Sequence, residues 1–257
     1  MGIDFAKSVF QVSVAGPSGR VLERKRLSRV QFQRFLAERP SADIVLEACA
    51  TAHHWARSAR DCGHSPRLLH PQYVRPYVRR NKTDAADADA LLRACRDPDL
   101  KPVSVKSVEQ QAVQGLHRIR SQWQDTRRQR ICRARGLLAE FGVHLPAGAA
   151  GIVPRLRASL ERAPALLSIS LESVLDEITE LDVKIQQLDR RLAELANASP
   201  IAQRLLTIPG IGLTPREYSS GQSRYLGRIS KRGDRYLRML LTHGARSALV
   251  LAHRQAV

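Results

Sequence analysis

The first hundred residues contain short runs in which hydrophobic and polar positions alternate, as they do in β-strands. Residues 2–14 mix β-branched and aromatic residues at near alternation, and the AGPSG segment that follows predicts a turn before a second strand, RVLERKRL. Residues 42–48 form an apolar run of the length of a buried strand, and residues 66–71 are a further strand candidate. The pattern predicts a β-hairpin followed by two more strands.

Helical patterns lie between these strands. Short helices are predicted at residues 30–37 and 52–61, and Gly63 is placed to end the second one. A third helix starts at about Thr83, which is its candidate N-cap. A strand hairpin followed by alternating strands and helices indicates a mixed α/β sheet covered by helices.

Beyond about residue 102 the pattern becomes helical only. Residues 107–141 are rich in Arg and Gln with apolar residues loosely at helical spacing, and LPAGAAG at 145–151 interrupts this pattern. The cleanest periodicity lies in residues 171–195, and it ends at Asn197 to Pro200. Such spacing predicts either a coiled coil or long helical hairpin arm, or an amphipathic helix packed within its own chain. The apolar positions are Leu171, Val174, Ile178, Leu181, Ile185, Leu188, Leu192 and Leu195.

The net charge of the chain indicates the kind of partner it binds. The 257 residues include 42 Lys and Arg against 24 Asp and Glu, so the net charge is +18 and the pI is near 10.9. An excess of this size favours a polyanion such as DNA, because phosphate contacts release condensed counterions. No stretch reaches the roughly 18 apolar residues of a spanning helix, and the N-terminus lacks a signal-peptide pattern, so we expect no membrane partner.

The cysteines do not indicate a metal site. Cys49, Cys62, Cys95 and Cys132 are scattered singly without a CxxC pair, which predicts neither a zinc site nor a disulfide framework. We expect reduced thiols in a cytoplasmic protein.

Four acidic residues stand at the edges of predicted elements. Asp4 lies within the first strand, and Glu47 ends the central strand, where a lone carboxylate is costly to bury. Asp84 and Asp87 are three residues apart on a helix and can point at one spot. Converging carboxylates are ligands for Mg²⁺, and two ions can serve phosphodiester cleavage. The alternative is that Asp84 and Asp87 only favour the helix N-terminus, and that Asp4 and Glu47 are ordinary strand-end residues.

Asp89 follows Asp87 by two residues. Residues at this spacing on a helix do not share a face, so we expect Asp89 to point away from the other acids and to be solvated.

The last block of the chain, residues 201–257, carries a dense basic string. Such density suits contacts to phosphates, which position a nucleic acid without specifying its sequence. The IPGIG segment at residues 208–212 resembles the hairpin of a helix-hairpin-helix, whose glycines let backbone N–H groups approach a phosphate, although an ordinary turn is equally consistent with it. The basic string comprises Arg224, Arg228, Lys231, Arg232, Arg235 and Arg238.

Several strings together resemble one known family. GIDFAKSVFQV, VLEAC, RNKTDAADADALL, GLTPREYSSG and GRISKRGDRYLRMLLTHGARS are similar to the DEDD transposases of the insertion sequence 110 family, in the branch that includes insertion sequence 1111. The resemblance implies an α/β RNase H-like (RuvC-like) domain at 1–102, a helical coiled-coil linker at 103–200 and a small, mainly helical transposase domain at 201–257. It assigns the four acidic positions of the RuvC-like domain to Asp4, Glu47, Asp84 and Asp87.

The same resemblance implies a chemistry. Members of the family are site-specific DNA transposases or recombinases with a serine nucleophile, which matches Ser220 here, with Ser219 as the adjacent alternative. The implied intermediate is a phosphoserine link to DNA, completed by the carboxylates of another subunit in a homodimer or homotetramer. The resemblance also implies two Mg²⁺ ions and a non-coding guide RNA that selects the DNA.

The sequence departs from the family pattern within the C-terminal domain. A helical stretch normally separates IPGIG from GLTPRE, but here Gly212 runs directly into Leu213. We therefore expect an internal deletion, with truncated ends as well. Two alternatives to an active transposase stay open: an inactive remnant that still binds nucleic acid, and a RuvC-like junction nuclease that uses the carboxylates alone.

Overall fold

The computed structural model describes residues 1–5, 9–78, 84–145 and 151–207, with the backbone alone at 84–86. The chain divides into two compact units, Met1–Gln111 and a second unit that begins at Ala112.

The first unit is built on a five-stranded mixed sheet in the order β3-β2-β1-β4-β5. The first three strands are antiparallel neighbours, whereas β4 runs parallel to β1 and β5 runs parallel to β4. This α/β arrangement is compatible with the RNase H-like fold that the sequence resemblance implies. The strands are β1 (Gly2–Phe5), β2 (Val9–Ala15), β3 (Val21–Ser28), β4 (Asp43–Glu47) and β5 (Ser65–Leu69).

The prediction of one strand over residues 2–14 was wrong, because this segment forms two antiparallel strands, β1 and β2. Phe5 pairs with Phe10 across them, and their rings meet edge to face at 4.8 Å. A single extended strand could not bring these two aromatic rings into contact. The predicted hairpin across AGPSG is present between β2 and β3.

Helices of the first unit follow the predicted positions closely. A capping box between Ser28 and Gln31 starts α1, since each side chain bonds the backbone N–H of the other residue. The α2 helix ends just before Gly63, whose φ of 81° suits glycine. The helices are α1 (Arg29–Glu38), α2 (Ala52–Asp61), α3 (Pro71–Val74), a 3₁₀ turn (Arg75–Tyr77) and α4 (Asp84–Ala94).

The sheet is covered on both faces. On one face α1 and α2 enclose an aromatic core with Ile3, Phe10 and Leu46 of the strands, and Phe32 and Trp55 are its large helical members. The opposite face is covered by α4. Its core contains Val45 and Leu69 of the sheet with Ala90, Leu91 and Ala94 of α4.

The second unit contains an antiparallel helical hairpin. Its helices are α5 (Val108–Ala139), which begins in the first unit, then α6 (Ile152–Ala158), a 3₁₀ turn (Leu160–Arg162), α7 (Ala165–Asn197) and α8 (Pro200–Leu206). Ion pairs join the middle part of α5 to the middle part of α7, and the residue numbers of the partners rise along α5 as they fall along α7. These pairs are Arg120–Asp189, Arg127–Asp182 and Arg130–Glu177.

The periodic segment 171–195 lies inside α7 and packs within its own chain. Leu171, Leu175 and Ile178 share a core with Ile131 and Leu138 of α5. The amphipathic helix packed within its own chain, one of the alternatives that the periodicity left open, is therefore present, and it forms a helical hairpin with α5. A coiled coil between chains stays a prediction.

Within the described residues, the helices lack a stretch that is long and apolar enough to cross a membrane.

Candidate active site at one edge of the sheet

The parallel pairing of β1 and β4 brings two of the predicted carboxylates side by side. Gly2 is level with Val45 and Ile3 is level with Leu46. One further step along this register places Asp4 level with Glu47. Because adjacent strands are about 4.8 Å apart, the two residues are direct neighbours at the edge where both strands end.

Both side chains belong to the face of the sheet that α4 covers. Side chains alternate between the two faces of a strand, so Asp4 shares the face of Gly2, and Glu47 shares the face of Val45. Val45 packs against α4, and Gly2 lies directly under it. Asp4 and Glu47 are half-buried, and each has a bonded or charged partner.

Helix α4 approaches this face very closely at Gly2. A Cβ atom added to Gly2 would lie 2.3 Å from the carbonyl oxygen of Ala88 and 3.0 Å from Leu92. The absence of a side chain next to Asp4 therefore lets the helix backbone rest on β1.

The direction of α4 brings its first residues toward the carboxylates. Asp89 contacts Ser13, which is level with Gly2, and a Cβ at Gly19 would overlap the guanidinium of Arg96. Gly19 follows the end of β2, near the start of β1. The helix therefore begins near the edge where β1 and β4 end and runs back toward the other edge.

The two predicted helical acids stand at this beginning. Asp87 is half-buried and precedes Ala90 and Leu91 by three and four residues, so it shares their sheet-facing side. Asp84 is the first residue of α4, but its side chain lies outside the described part of the structure. All four acidic positions thus belong to elements that meet at one edge of one face.

The described side chains do not by themselves form a metal centre. Among them, no three His, Cys, Asp or Glu lie close enough together to hold a metal ion. Asp84, the fourth member of the predicted set, is not one of these described side chains.

The prediction that Asp89 is solvated was wrong. Its side chain is 16% exposed, accepts a 2.6 Å hydrogen bond from the Ser13 hydroxyl and forms a 2.7 Å ion pair with Arg24. Burial raises the pKa of Asp89, but the hydrogen bonds from Arg24 and Ser13 outweigh it and leave the pKa below its usual value. Asp89 ties α4 to β2 and β3.

Sequence reasoning missed these positioning residues. Ser13 and Arg24 are partners across the β2–β3 hairpin, but Asp89 is on α4, and no local spacing relates it to them. Gly2 did offer a signal, because a glycine inside an apolar strand often marks the close approach of another backbone.

The predicted C-terminal residues fall outside the described residues. They are Ser219, Ser220, Arg224, Arg228, Lys231, Arg232, Arg235 and Arg238.

Comparisons with known proteins cover both ends of the chain. A family model described as "Transposase", for the DEDD transposases of insertion sequence 110, matches residues 1–142. A second model, "Transposase IS116/IS110/IS902 family", matches residues 210–256.

Three relatives align with nearly the whole chain. A "Probable family 20 transposase" of Pseudomonas aeruginosa is 38% identical over 282 residues, which cover 97% of this chain and 83% of the relative. The transposase for insertion sequence element IS1328 of Yersinia enterocolitica is 35% identical, covering 96% and 82%. The transposase for IS1111A of Coxiella burnetii is 34% identical, covering 97% and 77%.

The alignment with the Pseudomonas protein is longer than this chain. It runs over 282 residues, which exceeds the 257 residues of this chain. The relative therefore has residues within the aligned range that lack a counterpart here, as an internal deletion requires.

One family model spans more than half of the chain, and the relatives extend the match to almost all of it. This chain therefore belongs to the insertion sequence 110 (IS110) family of transposases.

Proposed function

We propose that the chain is a metal-dependent DNA transposase that cuts and rejoins DNA strands with Asp4, Glu47, Asp84 and Asp87 at its carboxylate site. The observation that carries the proposal is the parallel register of β1 and β4, which makes Asp4 and Glu47 neighbours on the face where α4 begins. The transposase names of the relatives support the same activity.

The donor set suits magnesium. Carboxylate oxygens are the hard ligands that Mg²⁺ prefers, and acids from two strands and a helix can surround ions from several sides. Asp4, Glu47, Asp84 and Asp87 would hold them. Two such ions, when bound, stabilise the attacking and the leaving oxygen of a phosphodiester in displacement.

The proposed nucleophile is the hydroxyl of Ser220. Its oxygen forms a bond to phosphorus while the bond from phosphorus to the leaving sugar oxygen breaks, and the leaving oxygen takes up a proton. The product is a phosphoserine link, which a DNA hydroxyl later reverses to rejoin the strands. The hydroxyl is a weak nucleophile until a base or the site itself activates it.

The basic string from Arg224 to Arg238 would hold the DNA backbone. Six cations within fifteen positions can contact several phosphates, consistent with the net charge of +18. We extend the proposal to a non-coding guide RNA and a homo-oligomer, in which the carboxylates of one subunit act beside the serine of another.

The covalent link gives the first experiment. The full-length protein, a DNA end of its element, the element's non-coding RNA and Mg²⁺ are mixed, and the products are separated on a denaturing gel. We expect a protein–DNA adduct that Ser220→Ala abolishes. Loss on Ser219→Ala with retention on Ser220→Ala would assign the nucleophile to Ser219 instead.

The carboxylates are tested in the same reaction. Asp4→Asn and Glu47→Gln are expected to lower strand cleavage by at least a hundredfold while DNA binding is kept, because each removes a proposed metal ligand. Asp43→Asn is the matched control, since Asp43 lies at the opposite end of β4 and is exposed. Equal cleavage by all three variants would contradict the carboxylate site.

One observation favours a second candidate function, a remnant that binds nucleic acid without cutting it. The relatives have residues that this chain lacks, and the sequence pattern puts the gap after Gly212, seven residues before Ser219. A misplacement of about 1 Å can cost a hundredfold in rate. Salt-dependent DNA binding with neither an adduct nor cut DNA would select the remnant, whereas cut DNA without an adduct would select a nuclease.

A further inference from the structure

A row of polar side chains crosses the sheet at the level of the carboxylates. Asp4 of β1 is level with Gln11 of β2, and Gln11 is level with Arg26 of β3. Glu47 of β4 lies beside Asp4 on the side away from β2. One row across four neighbouring strands therefore contains, in spatial order, Arg26, Gln11, Asp4 and Glu47.

Arg26 is on the same face of the sheet as Asp4. Its neighbour Lys25 points to the opposite face, where its ammonium lies 5.5 Å from the centre of the Phe35 ring. Arg24, two residues before Arg26, reaches Asp89 of α4. By the alternation of strand side chains, Arg26 joins Arg24 and Asp4 on the α4 face.

Arg26 differs from its neighbours in its partners. Arg24 is paired with Asp89, and Lys25 is paired with Glu23 at 2.9 Å. The Arg26 side chain is exposed, and within the described part of the chain it forms no ion pair or side-chain hydrogen bond. Its guanidinium is therefore available to a ligand.

We propose that Arg26 binds a backbone phosphate of the DNA strand that is cut, and so positions that strand over the carboxylates; this inference rests on the proposed function. Arg26 and Asp4 are two strand spacings apart, which is about 10 Å. This distance equals about three nucleotide steps of 3.4 Å. The phosphate bound by Arg26 therefore lies within about three nucleotides of the phosphate at the carboxylates. The planar guanidinium matches a phosphate with two parallel hydrogen bonds.

The location of the cation also has an electrostatic reason. A cluster of carboxylates repels the phosphates of DNA, and a neighbouring positive charge on the same face lowers that repulsion. Half-buried Gln11 lies between the two charges in this row.

The test measures DNA binding of the full-length chain in the Asp4→Asn background, so that cutting does not interfere. Binding to a fluorescent duplex of mixed sequence is followed over a range of salt concentrations in Mg²⁺. Arg26→Ala should flatten the slope of log K against log salt by about 0.9, the value for one lost phosphate contact. Arg26→Lys should keep the slope, because a point charge still neutralises the phosphate.

Arg34→Ala is the matched control. Arg34 is an exposed arginine on α1, which covers the other face of the sheet, so its loss removes the same charge but should not change the slope. Thermal unfolding of each variant checks the fold, and Arg26→Gln provides a second neutral variant.

The outcomes separate this inference from the proposed function. If the wild-type slope persists in both Arg26→Ala and Arg26→Gln while DNA is bound, Arg26 does not bind a DNA phosphate, whatever the cleavage reaction shows. A change in slope with single-stranded RNA but not with DNA overturns the assignment to DNA. Failure of the Mg²⁺ cleavage reaction alone contradicts the proposed function and leaves the result for Arg26 standing.

Discussion

At the scale of single residues, α4 uses two acids that are two positions apart for different purposes. Asp87 lies on the sheet-facing side near the carboxylate edge, whereas Asp89 is bonded to Ser13 and Arg24. Helical spacing correctly separates the two directions. It does not predict that the Asp89 side chain contacts β2 and β3, the antiparallel part of the sheet.

Replacing Asp89 should destabilise the first unit. Asp89→Ala leaves the Ser13 hydroxyl, which is 1% exposed, without its acceptor and removes the partner of Arg24. We expect a loss of about 1–3 kcal/mol in the free energy of unfolding, measured by urea denaturation. Asp43→Ala, which removes a carboxylate that is 65% exposed, should change stability by less than about 0.5 kcal/mol. Equal losses in both variants would contradict this role of Asp89.

The contribution of Asp89 should also depend on pH. Its pKa in the folded protein lies below the ordinary value of 3.8. The stabilisation is therefore complete above the unfolded pKa and is lost as the pH falls through the folded pKa. The difference in unfolding free energy between wild type and Asp89→Ala should stay constant near neutral pH and shrink in acid below the ordinary pKa.

Gly2 is predicted to be intolerant of even the smallest side chain. In Gly2→Ala the new Cβ would meet a backbone oxygen of α4, which cannot swing away as a flexible side chain can. We expect a loss of about 1–3 kcal/mol in urea denaturation as α4 is forced off β1. Gly16→Ala is the control, because its Cβ would meet only the flexible Leu22 at 3.3 Å. A Gly2→Ala variant as stable as Gly16→Ala would show that α4 adjusts freely.

At the scale of elements, the hairpin of the second unit joins a basic helix to an acidic one. Most charges of α5 are arginines, and most charges of α7 are Asp and Glu. Three ion pairs connect the two helices, and Arg120 is the most buried of their cations. The pairs also favour this alignment of the helices, because a shift along the axis would separate all of them together.

Removing the partner of Arg120 should cost more than removing a surface acid on the same helix. Asp189→Ala leaves a cation that is 5% exposed with only the Gln124 side chain as an acceptor, so we expect a loss of about 1–3 kcal/mol. Glu194→Ala breaks an exposed pair with Arg191 and should cost less than about 0.5 kcal/mol. Urea denaturation followed by helical circular dichroism compares them. The assignment fails if the two variants unfold alike.

The strand elements show why local patterns predicted positions better than pairings. In β1 the inward residues are Ile3 and Phe5, whereas in β2 they are Phe10 and Val12. The core-facing positions are odd-numbered up to residue 5 and even-numbered from residue 10. This change indicates two strands, whereas reading residues 2–14 as one alternating strand misses it. Bounds such as those of α2 were predictable because a glycine signal coincided with the end of the apolar pattern.

At the scale of the whole molecule, the candidate site joins segments that are remote in sequence. The individual acids could be selected from their context, but the elements that carry them approach one another through the parallel pairing of β1 with β4 and the reversed direction of α4. Neither feature can be predicted from the spacing of residues along the chain. The resemblance to a known family assigned the same four acids that the residue patterns had selected.

The C-terminal basic string should dominate the salt dependence of DNA binding. Neutralising Arg228, Lys231 and Arg232 together is expected to flatten the slope of log K against log salt by about 0.9 per lost contact. Fluorescence anisotropy with a DNA duplex measures the slope. An unchanged slope would assign the main DNA contacts to another surface, with the arginines of α5 as the next candidates.

The charged run of β3 has a consequence for solubility as well. In the described sheet, β3 and β5 are the two edge strands, and edge strands expose unpaired backbone groups on which other chains can grow. The outer side of β5 is partly covered, because Val103 forms a bridge with Leu68. β3 instead carries Glu23 and three consecutive cations, Arg24 to Arg26, and charges of this kind discourage a second β3 from adding to the sheet. Arg24 and Arg26 on the α4 face, together with Lys25 on the other face, thus protect a basic protein from aggregation through this edge.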